Sequence, residues 1–81
     1  MVTQINEPIK VGAVFWGRNV TIRWFVWKGR RVDVQETTFA WQSHKGARDI
    51  RNFALSSGSE VYEVSFAPAD LSWRLERVHV Q

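Results

Sequence analysis

The fold is decided by the stretch Val20-Thr21-Ile22-Arg23-Trp24-Phe25-Val26-Trp27-Lys28-Gly29-Arg30-Arg31-Val32-Asp33-Val34. Apolar side chains recur at every second position before Lys28, and this period is typical of a β-strand. Lys28-Gly29 predicts a tight hairpin connection, because glycine adopts positive φ without strain. Val32 and Val34 then begin a second strand. The alternation predicts one face carrying Val20, Ile22, Trp24 and Val26, and an opposite face carrying Phe25 and Trp27.

The same period extends in both directions from this hairpin. Upstream, residues 9–15 alternate and Gly17-Arg18-Asn19 forms a turn. Downstream, the strand that starts at Val32 extends to Trp41 with a bulge near Thr37, where the alternation breaks. The polar residues 42–49, with Gly46 among them, predict a loop.

The segment 47–55 fits two structures. Ala47, Ile50 and Phe53 would line one face of a helix, whereas Phe53 and Leu55 would share one side of a strand. A strand is preferred, because Ser56-Ser57-Gly58-Ser59 is a strong turn and a clear strand follows it. In the last strand Leu75 and Val78 are three positions apart, which predicts another bulge.

These elements predict a single all-β domain over residues 1–81, with an ordered core at about 7–80. We expect one antiparallel meander of about six strands, curled into an SH3-like barrel or a strongly bent sheet. The expected buried residues are Val20, Ile22, Trp24, Val26, Val34, Phe53, Leu55, Tyr62, Val64, Phe66, Trp73 and Leu75.

Composition narrows the class of protein. The chain has 81 residues, five tryptophans and no cysteine, so large aromatic rings replace disulfides as the source of core stability. No segment looks like a signal peptide or a membrane span, and we expect a cytoplasmic protein with no membrane partner. Residues 28–51 contain six basic and three acidic side chains, so the whole net charge of +3 lies in that segment.

This charge, beside aromatic residues, gives the candidate binding site. Cations next to exposed rings neutralise phosphates and stack bases, as in grooves that bind single-stranded nucleic acid. We therefore expect a small binding module, associated with single-stranded nucleic acid. The alternative is a protein-interaction or structural module that recruits a partner or a second copy through an exposed strand edge or a tryptophan patch. In a third, purely structural interpretation the strand is central to a tight barrel, or Phe25 and Trp27 pack under the 42–49 loop. The candidate residues are Phe25, Trp27, Lys28, Arg30, Arg31, Lys45, Arg48 and Arg51.

No pattern in the sequence predicts catalysis, a metal or a cofactor. Ser43 beside His44 lacks the third group of a nucleophilic triad. His44, His79 and Asp49 are too few and too scattered for a zinc site. The carboxylate pairs Glu60/Glu63 and Asp33/Glu36 are each three positions apart, so the members of a pair face opposite sides of a strand. No glycine-rich phosphate loop occurs.

Several short elements resemble a known family. They are the hairpin 24–34, Trp41, Phe53-Ala54-Leu55, Val61-Tyr62-Glu63-Val64 and Trp73-Arg74-Leu75. Together they are similar to a family of small bacterial domains of unknown function, across about residues 7–80. The chain departs from that family at Val32-Asp33, where members often place tyrosine. The resemblance implies an all-β fold and, because some members are encoded near error-prone DNA polymerase components, a link to nucleic acid.

Overall fold

The structure is a computed structural model and describes residues 1–80. It contains eight β-strands and no helix, which confirms the all-β prediction. Within these residues, accordingly, no helix could span a membrane. The strands are β1 (Val2–Pro8), β2 (Lys10–Trp16), β3 (Asn19–Trp27), β4 (Arg30–Asp33), β5 (Glu36–Lys45), β6 (Arg48–Ser57), β7 (Glu60–Ala67) and β8 (Ser72–Val80).

The strands form two antiparallel sheets. A five-stranded sheet has the order β1-β8-β7-β6-β5, and a three-stranded sheet has the order β2-β3-β4. The structure therefore has two more strands than the predicted meander of about six, and the strands form two sheets instead of one. The SH3-like barrel is not formed, since the strands belong to two separate hydrogen-bonded sheets. The bent-sheet alternative is the one consistent with the structure.

The region 42–57 is a long hairpin. β5 continues to Lys45, the turn contains Gly46 at a φ of 64°, and β6 starts at Arg48. The predicted loop at 42–49 is therefore wrong, whereas the strand preferred over a helix at 47–55 is confirmed. Polar residues fit a strand here because β5 is an edge strand and most of its side chains are exposed. β1 also extends the structure upstream of the expected core.

In addition to an irregularity between Gln4 and Glu7 in β1, bulges adjust the faces of three strands. The extra residues are Thr38 in β5, Glu76 in β8 and Arg23 in β3. The first two lie where the breaks in alternation predict them. The bulge at Arg23 cannot be predicted from the sequence, because the apolar pattern around it is unbroken. Because Arg23 is an extra residue between Ile22 and Trp24, the inward-facing series changes there from even to odd positions.

The core lies between the two sheets. Its buried members are Ile22, Phe25, Phe53, Leu55, Tyr62, Val64, Phe66, Leu75 and Val78. Seven of the expected core residues are among them. The other five, Val20, Trp24, Val26, Val34 and Trp73, are half-buried. Aromatic contacts join the sheets, with the ring of Phe25 edge-on to Tyr62 at 5.1 Å and Phe15 against Phe66 at 5.7 Å.

Candidate nucleic-acid interface

Phe25 belongs to the core and not to a binding surface. It is fully buried, because the bulge at Arg23 turns it toward the five-stranded sheet and Tyr62. The prediction that its ring stacks a base is wrong. The structure agrees with the alternative in which the Phe25 ring packs in the core.

Trp27 points the same way as Phe25 and is half-buried at the rim of the core. Its indole nitrogen is buried and has no hydrogen-bond partner within the described residues. The Lys28 ammonium lies 5.0 Å from the ring centroid, within the range of a cation–π contact. Trp27 thus packs between the hairpin and the core, and little of its ring surface is open to a ligand.

The predicted basic residues form two separate groups. Lys28, Arg30 and Arg31 line a hollow of about 310 Å³ with Glu60 and Tyr62, at the end of the sheet where β7 starts. Lys45, Arg48 and Arg51 lie toward the other end of β6. The ten residues of β6 span about 30 Å, so the hairpin cations and the Lys45–Arg48 turn do not share one surface.

Two members of the second group, Arg48 and Arg51, already make local contacts. Arg48 forms an ion pair with Asp70 at 2.8 Å. Hydrogen bonds from Ser72 and then from Arg48 hold the pKa of the Asp70 carboxyl below its ordinary value. Arg51 donates to the Arg18 carbonyl at 3.2 Å and thereby ties β6 to the β2–β3 turn. These contacts connect turns at one end of the molecule.

Trp24 lies on the outer face of the three-stranded sheet. It pairs with Gly12 on β2 and Asp33 on β4. A Cβ built on Gly12 would lie 2.1 Å from the indole Cε2, so the ring occupies the space that any other residue would fill. The absent side chain at Gly12 lets the indole lie against the backbone.

Basic residues share the outer face with this indole. The Arg31 guanidinium lies over the ring, 5.1 Å from its centroid. Lys10 and Arg31 both pair with Val26, so they share the outer face with Trp24. Arg23, the exposed bulge residue, is adjacent in β3.

The charge of this outer face is positive. Arg31 binds Asp33 at 2.8 Å, and both side chains are well exposed. Among residues 1–80, neither Lys10 nor Arg23 has an ion-pair partner. The face therefore has two cations that no carboxylate neutralises, close to an aromatic ring. We call Lys10, Gly12, Arg23, Trp24 and Arg31 the Trp24 face.

The hollow under the hairpin contains a buried phenol. Tyr62 donates a hydrogen bond to the Glu60 carboxylate. Burial, together with this bond and the negative charge of Glu60, raises the pKa of Tyr62 to about 12, although nearby Arg30 opposes the shift. Tyr62 is therefore a neutral hydrogen-bond donor at physiological pH. Its bond to the Glu60 carboxylate holds that side chain beside the hairpin.

The outer face of the five-stranded sheet differs in charge from the Trp24 face. Glu63 on β7 accepts a hydrogen bond from Arg77 and pairs with His79, both on β8. Burial raises the pKa of the Glu63 carboxyl, but the bonds from His79 and Arg77 outweigh it and the net shift is downward. Ser65 donates to Glu76 at 2.6 Å. Cations and carboxylates balance on this face, so it offers little attraction to a polyanion.

The two histidines lie in different places. His44 pairs with Asp49 at 2.9 Å near the β5–β6 turn, whereas His79 is level with Val61 and Ser56. Residues 1–80 contain no group of three or more histidine, cysteine or carboxylate side chains placed to hold a metal.

Sequence reasoning missed Trp24 as a surface residue because it assumed one unbroken alternation through Arg23. The usable signal is Gly12, an isolated glycine in a strand pattern, which often marks a bulge or a close approach. Comparison of the chain with family models, with curated proteins and with solved structures finds no match.

Proposed function

We propose that the protein is a small non-enzymatic module that binds single-stranded nucleic acid on the Trp24 face. The observation that carries this proposal is the Trp24 indole over Gly12 with Lys10, Arg23 and Arg31 around it. Rings beside cations are the usual elements of sequence-tolerant binding to single strands. Lys28 and Arg30 are not part of this surface, since they line the hollow at the other side of the hairpin, with Glu60 and Tyr62.

The roles of the residues follow from their chemistry. Trp24 would stack on a base, and each such contact contributes about 1–3 kcal/mol. Arg31 is 62% exposed in its side chain, so it can leave the indole for a phosphate and expose ring surface. Lys10 and Arg23 would contact phosphates on either side of the stacked base. We further propose a cytoplasmic location, in keeping with the cysteine-free composition.

The test is a salt titration of binding to a labelled oligothymidylate of about eight nucleotides, which covers one site, followed by fluorescence anisotropy. Three phosphate contacts, from Lys10, Arg23 and Arg31, predict a log–log salt slope of about −2 for a single strand. Trp24→Ala should weaken binding by about 1–3 kcal/mol. Trp41→Ala is the matched control, because Trp41 is also half-buried but lies in the five-stranded sheet.

Charge variants separate this face from the other cations. Arg23→Glu with Lys10→Glu should abolish binding, whereas Lys45→Glu should leave it nearly unchanged because Lys45 is at the remote β5–β6 turn. All three residues are exposed, so the fold should persist. Equal losses in both variants, or no binding by the parent protein at low salt, would contradict the proposal.

A protein-contact function is the second candidate. The observation that favours it is the exposed edge strand β5 of the five-stranded sheet, which is ten residues long. Exposed edges of this kind recruit another strand through main-chain hydrogen bonds.

A further inference from the structure

The four sheet edges in residues 1–80 are protected to different degrees. β1 has an irregularity after Gln4 and ends at Pro8. β2 begins at Lys10 and has only seven residues, although no charged side chain or proline follows Lys10 in it. β4 has only four residues, three of them charged. Bulges, prolines, charges and shortness are the usual devices that prevent edge-to-edge pairing.

β5 has little of this protection. Its bulge is near one end, at Thr38, and residues 37–43 contain no charged side chain or proline. Phe39 on this strand is 65% exposed. The unpaired amides and carbonyls of β5 make another β-strand the matching partner, since only a strand satisfies a row of such groups.

The side chains of β5 fit a second copy in antiparallel orientation. Phe39 and Trp41 both point to the outer face, with ring centroids 5.5 Å apart. Directly opposed residues in an antiparallel pair share a face, so a twofold axis at Ala40 places Phe39 of one copy beside Trp41 of the other. Four rings then form one cluster, and this contact covers the exposed Phe39.

The charges at the ends of β5 agree with this orientation. Glu36 begins the strand, while His44 and Lys45 end it. Antiparallel pairing around Ala40 brings Glu36 of one copy close to the basic end of the other, twice in a dimer. Parallel pairing would instead place like charges together, which is unfavourable.

We propose that the protein forms a homodimer by antiparallel pairing of β5 with β5 of a second copy, which joins the two five-stranded sheets. This inference rests on the protein-contact candidate and is independent of nucleic-acid binding. The partner is specified by main-chain hydrogen bonding, by the Phe39–Trp41 contact and by the opposed charges.

The first test is sedimentation equilibrium across a concentration series, with Phe39→Lys as the disrupting variant. We expect a monomer–dimer equilibrium for the parent and a monomer for Phe39→Lys. Val14→Lys is the matched control, because Val14 is an exposed apolar residue (49%) on β2, an edge strand of the other sheet. Circular dichroism checks that each variant remains folded. A parent protein that is monomeric throughout would overturn the proposal.

The second test fixes the register. The chain has no cysteine, and residues facing each other at the axis have Cα atoms about 4.5–5.5 Å apart, within disulfide range. Ala40→Cys should therefore form a covalent dimer on mild oxidation, and Thr21→Cys on β3 should not. Equal rates of cross-linking in both variants would refute pairing at Ala40.

A charge reversal adds an independent readout. Glu36→Lys should weaken dimerisation by about three- to tenfold, since two contacts are lost per dimer. Lys45→Glu in the same chain should restore part of it. Binding of the labelled oligonucleotide, measured on the same variants, shows whether the nucleic-acid function fails separately.

Discussion

Gly12 is the residue on which the position of Trp24 depends. A methyl group at Gly12 would lie 2.1 Å from the indole Cε2 and 2.4 Å from Nε1, so the ring must move. We expect Gly12→Ala to destabilise the protein by about 1–3 kcal/mol, as other overpacking substitutions do. Urea unfolding measures this loss.

The contact between the two residues predicts non-additivity. In Trp24→Ala the space beside Gly12 is empty, so adding Gly12→Ala to that variant should cost little further stability. Residues in contact show coupling energies of about 0.5–3 kcal/mol in such cycles. Additive losses would mean that the indole does not occupy the space above Gly12.

The Glu63 carboxyl makes the free energy of unfolding depend on pH in the acid range. Its folded-state pKa is lowered, because bonds from His79 and Arg77 outweigh the effect of burial. A carboxyl with a depressed pKa stabilises the folded state above its ordinary pKa of 4.5. That contribution is lost as pH falls through the lower folded value.

Glu63→Gln tests this dependence. We expect a loss of about 1 kcal/mol at neutral pH, with a smaller difference from the parent below pH 4.5. Thermal unfolding at a series of pH values measures both effects. Glu7→Gln is the control, because Glu7 is exposed on β1. A constant difference across the acid range would contradict the assigned role.

At the scale of elements, period-2 patterning predicts most strands but not the phase within β3. Breaks in the pattern reveal the bulges at Thr38 and Glu76. The bulge at Arg23 leaves no such break, since Trp24, Phe25, Val26 and Trp27 are apolar on both sides. Which of two apolar faces is buried depends on the partner sheet, and a local pattern contains no information about that.

The long β5–β6 hairpin and the proposed binding surface are difficult to predict from the sequence for the same reason. Polar residues at 42–49 resemble a loop because one side of an edge strand and its turn face solvent. Concentration of charge along the chain likewise did not predict proximity, since β6 separates Arg48 from the cationic hairpin. Lys10 and Arg23 belong to one sheet only through the pairing of β2 with β3.

Deletion of Arg23 tests the account of β3. Without this extra residue Ile22 still points inward, Trp24 outward and Phe25 inward, so the core faces are kept. We expect a folded variant that loses about 1–2 kcal/mol, mainly the hydrogen bond from the Val34 amide to the Arg23 carbonyl.

Deletion of Ser65 is the contrasting variant. Ser65 lies between Val64 and Phe66 in the buried strand β7, and removing it must turn one of these side chains outward. That variant should not fold. Dispersed amide resonances for the Arg23 deletion and collapsed ones for the Ser65 deletion are expected, and the reverse result would refute the bulge assignment.

At the scale of the whole molecule, the two proposed surfaces belong to different sheets. The Trp24 face is the outer side of the three-stranded sheet, and the dimer edge is β5 of the five-stranded sheet. A twofold axis at Ala40, perpendicular to the joined sheet, leaves both three-stranded sheets on the same side of the dimer. One extended strand of nucleic acid could then contact both Trp24 faces.

This geometry predicts bivalent binding to long oligonucleotides. A short oligothymidylate of about eight nucleotides covers one site, so Phe39→Lys should leave its affinity unchanged, because the substitution is remote from Trp24. An oligothymidylate several times longer should bind the parent dimer at least about tenfold more tightly than the short one, since its second contact is intramolecular.

The two variants then separate the two surfaces. Phe39→Lys should lose only the gain with the long oligonucleotide, whereas Trp24→Ala should weaken binding of both lengths. Anisotropy titrations at one fixed salt concentration compare them directly, because affinities at different salt concentrations are not comparable. If Phe39→Lys kept the long-oligonucleotide gain, the second site would not come from the β5 dimer, and if it weakened the short oligonucleotide, the two surfaces would not be independent.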